Sequence, residues 1–316
     1  MIGPEGSPVS PSPPPSAPAT ATESAAALPA ILREIRFEQT LFSLPFALLA
    51  MLLAAKGWPA GITVVWILVA LIGARSAAMA INRLADAAID ARNPRTQDRA
   101  LPSGRVSRRS MTLFAAAALA LFLFAAWQLN PLCLALAPVA LLFLVGYSWT
   151  KRFTALCHLI LGATLGIAPL GAWAAVRGTY FDPSGAWDWT PWLLAFGVLT
   201  WVAGFDVIYA CPDATVDRGE GLRSIPRVLG ERKAFVVAQV LHGATLGFLA
   251  AAGLASADLG PAWWGGLALG ALILAAEHVL VRPGNYARMG IAFFRLNAVF
   301  GGVLLLATAL DVFEVI

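Results

Sequence analysis

The chain has 316 residues, of which 59% are hydrophobic and only 13% charged, against roughly 25% charged in ordinary globular chains. With a mean hydropathy of +0.74, its 22 basic and 18 acidic residues cannot clothe a soluble surface of this size, which excludes soluble enzymes, disordered regulators and disulfide-stapled secreted domains. The net charge of +4 reports membrane topology before it reports an anionic partner, and nucleic acid is not expected. Cys133, Cys157 and Cys211 lie in or beside apolar stretches and show no metal or disulfide spacing.

Residues 1–30 contain eight Pro, many Ser and Ala, and no Lys or Arg. This stretch lacks the positive region of a signal peptide and reads as a disordered tail. Residues 31–316 read as a single transmembrane domain. A spanning helix needs roughly 20 apolar residues. Nine candidates follow, over 37–55, 62–81, 111–127, 131–149, 153–176, 191–209, 234–253, 261–280 and 290–311, which predicts an all-α bundle of nine transmembrane helices. Sixteen basic residues fall in the 2–3, 4–5, 6–7 and 8–9 loops, whereas the loops on the other side hold only Lys56 and Arg177. The positive-inside rule then places those four loops and the N-terminus in the cytoplasm, and the C-terminus outside.

Eight of the 18 acidic residues lie in or beside just two of the basic loops. After the second span, Asn82, Asp86 and Asp90 are spaced four apart on one helical face, which Met79 and Arg75 extend back toward the membrane. After the sixth span, Asp213 and Asp217 are again four apart, with Asp206 two turns earlier if the helix continues past Pro212. Solvated helix ends are one reading. However, like charges at this spacing repel, the pattern occurs twice on one side, and Asp206 ends an apolar span, where an unpaired carboxylate is costly. A divalent cation answers all three points, and oxygen-only ligands suit Mg²⁺ with phosphate oxygens. An ion or proton transporter is the alternative from another class, although it would place charge at mid-membrane. Arg95 and Arg99 follow the first cluster and Arg223 the second, and guanidinium suits phosphate. Arg105, Arg108, Arg109, Arg232 and Lys233 read as topology or head-group residues. His158 and His242 read as satisfied bundle residues, and Glu277 with His278 as interhelical hydrogen-bonding groups.

The run Asn82-x-x-x-Asp86-x-x-x-Asp90, the run Asp206-x-x-Tyr209-Ala followed by Asp213-x-x-x-Asp217, and the Arg-Ala-Leu-Pro-Ser-Gly and Gly-Leu-Arg-Ser-Ile-Pro stretches carry a resemblance. Over residues 33–316 the chain resembles the UbiA superfamily of intramembrane prenyltransferases, in particular its 4-hydroxybenzoate polyprenyltransferase-like branch. Its wording is closest to the MqnP-like group of menaquinone biosynthesis. Arg83, Cys211-Pro212 and Arg223 depart from the common pattern.

The resemblance implies a multi-pass protein of a bacterial inner membrane whose active site faces the cytoplasm. It would transfer a polyprenyl group from its diphosphate to an aromatic acid, 4-hydroxybenzoate or a futalosine-pathway naphthalene acid, in ubiquinone or menaquinone biosynthesis. Prenyl transfer to haem, chlorophyll or a terpene product is the alternative within the superfamily. Asn82, Asp86, Asp90, Asp213 and Asp217 would hold Mg²⁺, and Arg95, Arg99 and Arg223 the diphosphate. Asp206 would act as base, and Tyr209, with Phe205 and Phe46, would face the allylic cation. Arg75, inside a span, would bind the acid group of the acceptor. Gly162, Gly166 and Gly171 would either pack helices closely or line a groove for the chain.

Overall fold

The computed structural model describes residues 28–32 and 40–315. The tail expected over 1–30 therefore lies outside the described residues except at 28–30, and so do Arg33, Arg36 and the first residues of the first expected span. All named elements are helical: α1 (Thr40–Ala55), α2 (Gly61–Asp90), α3 (Arg108–Leu129), α4 (Pro131–Thr150), α5 (Cys157–Arg177), α6 (Thr190–Tyr209), the short α7 (Ala214–Gly219) and α8 (Ile225–Leu229), α9 (Glu231–Ala255), α10 (Pro261–Leu280) and α11 (Asn297–Val312). A π-helical segment, Ile291–Leu296, leads into α11.

Among the described residues, eight helices are long and apolar enough to cross a membrane, and α1 is a shorter apolar helix of 16 residues. The chain is thus a multi-pass membrane protein. Residues 28–32 form a short helical stretch whose Ile31 is buried with Met79, Ala80 and Met111.

Local chemistry explains where the helices start and stop. Ser107 caps α3 by accepting the Ser110 N–H. Asn130 caps α4 by accepting the Cys133 N–H, with Pro131 in the first turn. Its amide also donates to the Ala174 and Ala175 carbonyls at the end of α5. Gly178 closes α5 in the left-handed region at φ +63°. Asp311, near the end of α11, caps a different helix: its carboxylate accepts the Ala262 and Trp263 N–H groups at the start of α10, at 3.0 and 2.7 Å.

The first motif does not sit on a loop. α2 runs unbroken through Asn82 and Asp86 to Asp90, because nothing after Ile81 breaks a helix before Asn93-Pro94. At 1.5 Å per residue its 30 residues span about 45 Å, well beyond the roughly 30 Å hydrocarbon core. The last turns therefore stand outside the membrane and carry the carboxylates.

α5 is the hub of the bundle. On one side α4, α3 and α2 pack in sequence. On the other, α1, α6, α9, α10 and α11 form a ring built on Phe46, Trp201, Phe205 and Phe300. α2 packs closely on α3 but only lightly on α1 and α5, which leaves an internal space between the halves. Loop contacts sort the two ends. Arg92 to Glu220, Arg223 to the Phe153 carbonyl, and Gly284 N–H to Glu231 join the four basic loops at one end. Lys56 pairs with Asp258 at 3.1 Å at the other.

Gly162 and Gly166 pack α5 on α6: a Cβ at Gly162 would lie 2.2 Å from the Leu199 carbonyl oxygen, and one at Gly166 2.8 Å from that of Ala195. Gly171 has nothing within 4 Å and lines the internal space. Gly162→Ala should therefore destabilise the fold by about 1–3 kcal/mol through overpacking, while Gly171→Ala should be nearly neutral. Thermal melts of both variants in the same detergent check this, and equal melting temperatures would contradict it.

Candidate active site

The extended end of α2 presents Asp86 and Asp90, 4% and 6% exposed, toward the second motif. Asp86 accepts from Asn82 at 3.2 Å and pairs with Lys151 and Arg152, at 3.0 and 3.2 Å, on the α4–α5 connection. Arg152 is itself anchored on the Ala85 and Ser148 carbonyls. Asp90 accepts from Arg99 at 2.7 Å.

The second motif is broken where Pro212 falls. α6 ends at Tyr209, a 3₁₀ turn covers Cys211–Asp213, and α7 begins at Ala214. Asp206 consequently stays on the membrane helix, on a different element from Asp213 and Asp217. Arg95 reaches across from the first motif loop to Asp213, with Nε at 2.9 Å from Oδ1 and Nη2 on Oδ2. Arg92 clasps Glu220 in the same bidentate way. Burial opposes the charge on Arg95, but the bond and field of Asp213 outweigh it and raise its pKa. Asp217 accepts from the Ser224 hydroxyl at 2.7 Å. Burial pushes the Asp217 carboxyl up, against the opposing pull of Ser224, Lys151 and His158.

These groups surround a chamber of about 280 Å³ that reaches inward to Arg75, Tyr147, Leu161 and Leu165. The same four residues border a second, almost wholly apolar cavity of about 610 Å³ between α2, α3, α4, α5 and α6. Polar chamber and apolar channel thus meet at Arg75. Near the far end of the channel, Tyr180, Trp187 and Trp192 cluster with ring centroids 5.4–6.1 Å apart. The inner wall of the chamber is aromatic: Phe42, Phe205, Tyr209 and Phe293 line it. Tyr209 stacks on Phe293 at 4.1 Å, and the Arg95 guanidinium lies 5.7 Å from its ring centre.

Asn82, Asp86, Asp90, Asp213, Asp217, Arg95, Arg99, Asp206, Tyr209 and Arg75 all line the one chamber. Arg223 does not. It is exposed and donates to the Phe153 carbonyl at 2.9 Å, because the backbone before α8 lies against the α4–α5 connection, where Arg223 N–H meets the Lys151 carbonyl. Phe46 is fully buried against Trp201 and Phe300 and serves packing; Phe293 and Phe42 stand in the place expected for it. His242 meets His278 at 3.0 Å in the bundle, as an interhelical contact should. His158 is instead a chamber residue, with Nδ1 at 2.7 Å from Asp206 Oδ2.

Lys151 and Tyr147 were legible only as a loop charge and a span aromatic. Their one sequence signal was position, at the motif-side end of α4.

The donor set suits Mg²⁺: oxygen atoms from carboxylates and an amide, with a half-buried carboxyl on Asp217 that a cation would hold ionised. Among the described residues, no three His, Cys, Asp or Glu side chains stand grouped around one ion.

Fold and site define a class of protein: a multi-pass helical membrane protein with a charged chamber at one membrane face, opening into an apolar channel. Residues 43–299 match the UbiA prenyltransferase family, and the chain belongs to that family and is a prenyltransferase. It is 34% identical over 261 residues to a 4-hydroxybenzoate octaprenyltransferase of Alkalilimnicola ehrlichii, covering 82% of this chain and 85% of the relative. The apo structure of a UbiA homolog from Aeropyrum pernix K1 superposes with a TM-score of 0.74 at 33% identity, over 87% of this chain and 98% of that one. A UbiA homolog from Archaeoglobus fulgidus, solved with GPP and Mg²⁺, shares the fold with a TM-score of 0.66 at 18% identity, over 89% and 99% of the two chains.

Proposed function

We propose that this chain transfers a polyprenyl group from its diphosphate to 4-hydroxybenzoate in an Mg²⁺-dependent reaction. The observation that supports this reading most is the junction at Arg75: a chamber of paired carboxylates and guanidiniums meets a channel of about 610 Å³ with almost no polar lining. A diphosphate head fits the chamber and a prenyl chain the channel. The sixteen basic residues of the four loops support a cytoplasmic chamber in a bacterial inner membrane.

Asn82, Asp86, Asp90, Asp213 and Asp217 would hold Mg²⁺, which when bound neutralises charge developing on the leaving diphosphate. Arg95, Arg99 and Lys151, which pair with motif carboxylates, are placed to turn to phosphate oxygens. Phe205, Tyr209 and Phe293 present π faces to an allylic cation. Arg75 would bind the acceptor's carboxylate, fixing the ring beside Asp206. Asp206 would take the phenolic proton so that the ring carbon attacks as a nucleophile.

A naphthalene acid of the futalosine route is the second reading, resting on Arg83, which departs from the common motif pattern and lines the chamber at 6% exposure. Purified protein should release diphosphate from GPP only with Mg²⁺ and an aromatic acid. Comparing 4-hydroxybenzoate with the naphthalene acid decides the acceptor, and no prenylated product from either would sink the proposal.

Two further outcomes are expected. EDTA should abolish turnover and added Mg²⁺ should restore it. Arg75→Ala should raise the KM of the aromatic acid by about 10- to 100-fold, the effect of losing one charge-assisted pair of roughly 1.5–3 kcal/mol, with the KM of the prenyl diphosphate nearly unchanged. An unchanged acid KM would remove Arg75 from acceptor binding.

A further inference from the structure

His158 stands in the first turn of α5 and is 3% exposed. It joins three parts of the site. Its Nδ1 lies 2.7 Å from Asp206 Oδ2 on α6. Its Nε2 faces the Ile225 N–H at 3.4 Å, at the start of α8. Next to Ile225, Ser224 donates to Asp217, and the neighbouring Cys157 thiol reaches the Arg223 carbonyl. A backbone N–H can only donate, so Nε2 accepts and the ring proton is on Nδ1. Asp206 thereby has one oxygen occupied by a short, part-buried hydrogen bond, while its carboxylate remains part of the chamber lining. A carboxylate held this way has its rotamer restricted, with Oδ1 left to accept from a substrate.

We propose that His158 is a positioning residue for prenyl transfer. By donating from Nδ1 to Asp206 Oδ2, it aims Asp206 Oδ1 at the hydroxyl of the phenolic acceptor. This rests on the reading of Asp206 as the base. In the step it serves, the phenolic proton passes to Oδ1. The C–O bond to diphosphate breaks to leave the allylic cation, and the ring carbon forms its bond to the first prenyl carbon. The ring carbon then loses its hydrogen as a proton to the departing diphosphate, and Asp206 returns its proton to the phenolic oxygen. His158 exchanges no proton with substrate.

The test uses the full chain in detergent with Mg²⁺, GPP and 4-hydroxybenzoate. His158→Ala and His158→Phe should lower kcat by about 10- to 100-fold, the scale on which a reacting group misplaced by an ångström loses rate. The KM of GPP should stay within about twofold. His158→Asn and His158→Gln, which can present an N–H to Oδ2, should recover kcat to within about fivefold of the wild type. A merely structural role would act through the Ser224–Asp217 loop instead and would raise the GPP KM in the Ala and Phe variants. That outcome overturns the inference. So does a folded Ala or Phe variant with wild-type kcat, or a pair of amide variants no better than Ala. Asp206→Asn separates the two failures. If it is impaired while His158→Ala is normal, only the role of His158 falls. If Asp206→Asn itself keeps full rate, the base reading falls.

Discussion

Asp206→Asn should lower kcat for prenylation by about 10²- to 10⁴-fold, the usual contribution of a positioned general base. The substitution is close to isosteric, and the amide oxygen can still accept from His158 Nδ1, so the 2.7 Å contact and the packing of α5 on α6 survive. The KM of the prenyl diphosphate should change little, because the Asp206 side chain contacts neither Arg95 nor Arg99. The defect should also depend on the acceptor. A phenol acidic enough to be ionised at the assay pH has no proton to give, so the gap between wild type and variant should shrink. Steady-state rates with phenols of graded acidity check this. A defect of equal size for every acceptor would show that Asp206 acts in some other way.

Asp86→Ala is expected to cost about 10²- to 10³-fold in kcat/KM for the prenyl diphosphate, the scale of losing one preorganised group that stabilises developing charge. Asp86 is 4% exposed and holds Asn82, Lys151 and Arg152 together. Its loss would remove an oxygen from the proposed Mg²⁺ site and also free the cations that order this corner. The Mg²⁺ concentration giving half-maximal rate should rise accordingly, whereas Arg75→Ala should leave it alone. Titrating Mg²⁺ against diphosphate release measures both. A variant with wild-type Mg²⁺ dependence and a rate within about threefold would remove Asp86 from the metal and diphosphate machinery.

Much of the site was readable because it is built from local periodicity. Asn82, Asp86 and Asp90 share a face through the 3.6-residue turn alone, and Asp213 with Asp217 does the same across the short α7 boundary. Arg75 was conspicuous because a guanidinium in an apolar span is expensive. Residues whose roles arise between helices were harder to read. His158 looks like any buried histidine until α6 brings Asp206 to it. Lys151 looks like a topology charge until Asp86 of α2 arrives. Arg223 shows the converse: its place beside a motif suggested phosphate, but the backbone before α8 carries it to the Phe153 carbonyl.

What the sequence determined by itself was the membrane class, the all-helical character, the side of the bundle on which charge collects and the two acidic motifs. Each follows from hydropathy, helix period and the cost of unpaired charge, which act over a few turns of one chain segment. Only the tertiary structure decided that both motifs close one chamber, that the chamber opens into an apolar channel at Arg75, and that Gly162 serves helix contact, Gly166 both helix contact and the channel wall, and Gly171 the channel wall alone. Those facts depend on how distant helices pack. Two glycines with the same local sequence logic differ by whether a neighbouring carbonyl stands 2.2 Å from the missing Cβ or nothing stands within 4 Å, and no pattern within a single helix encodes that difference.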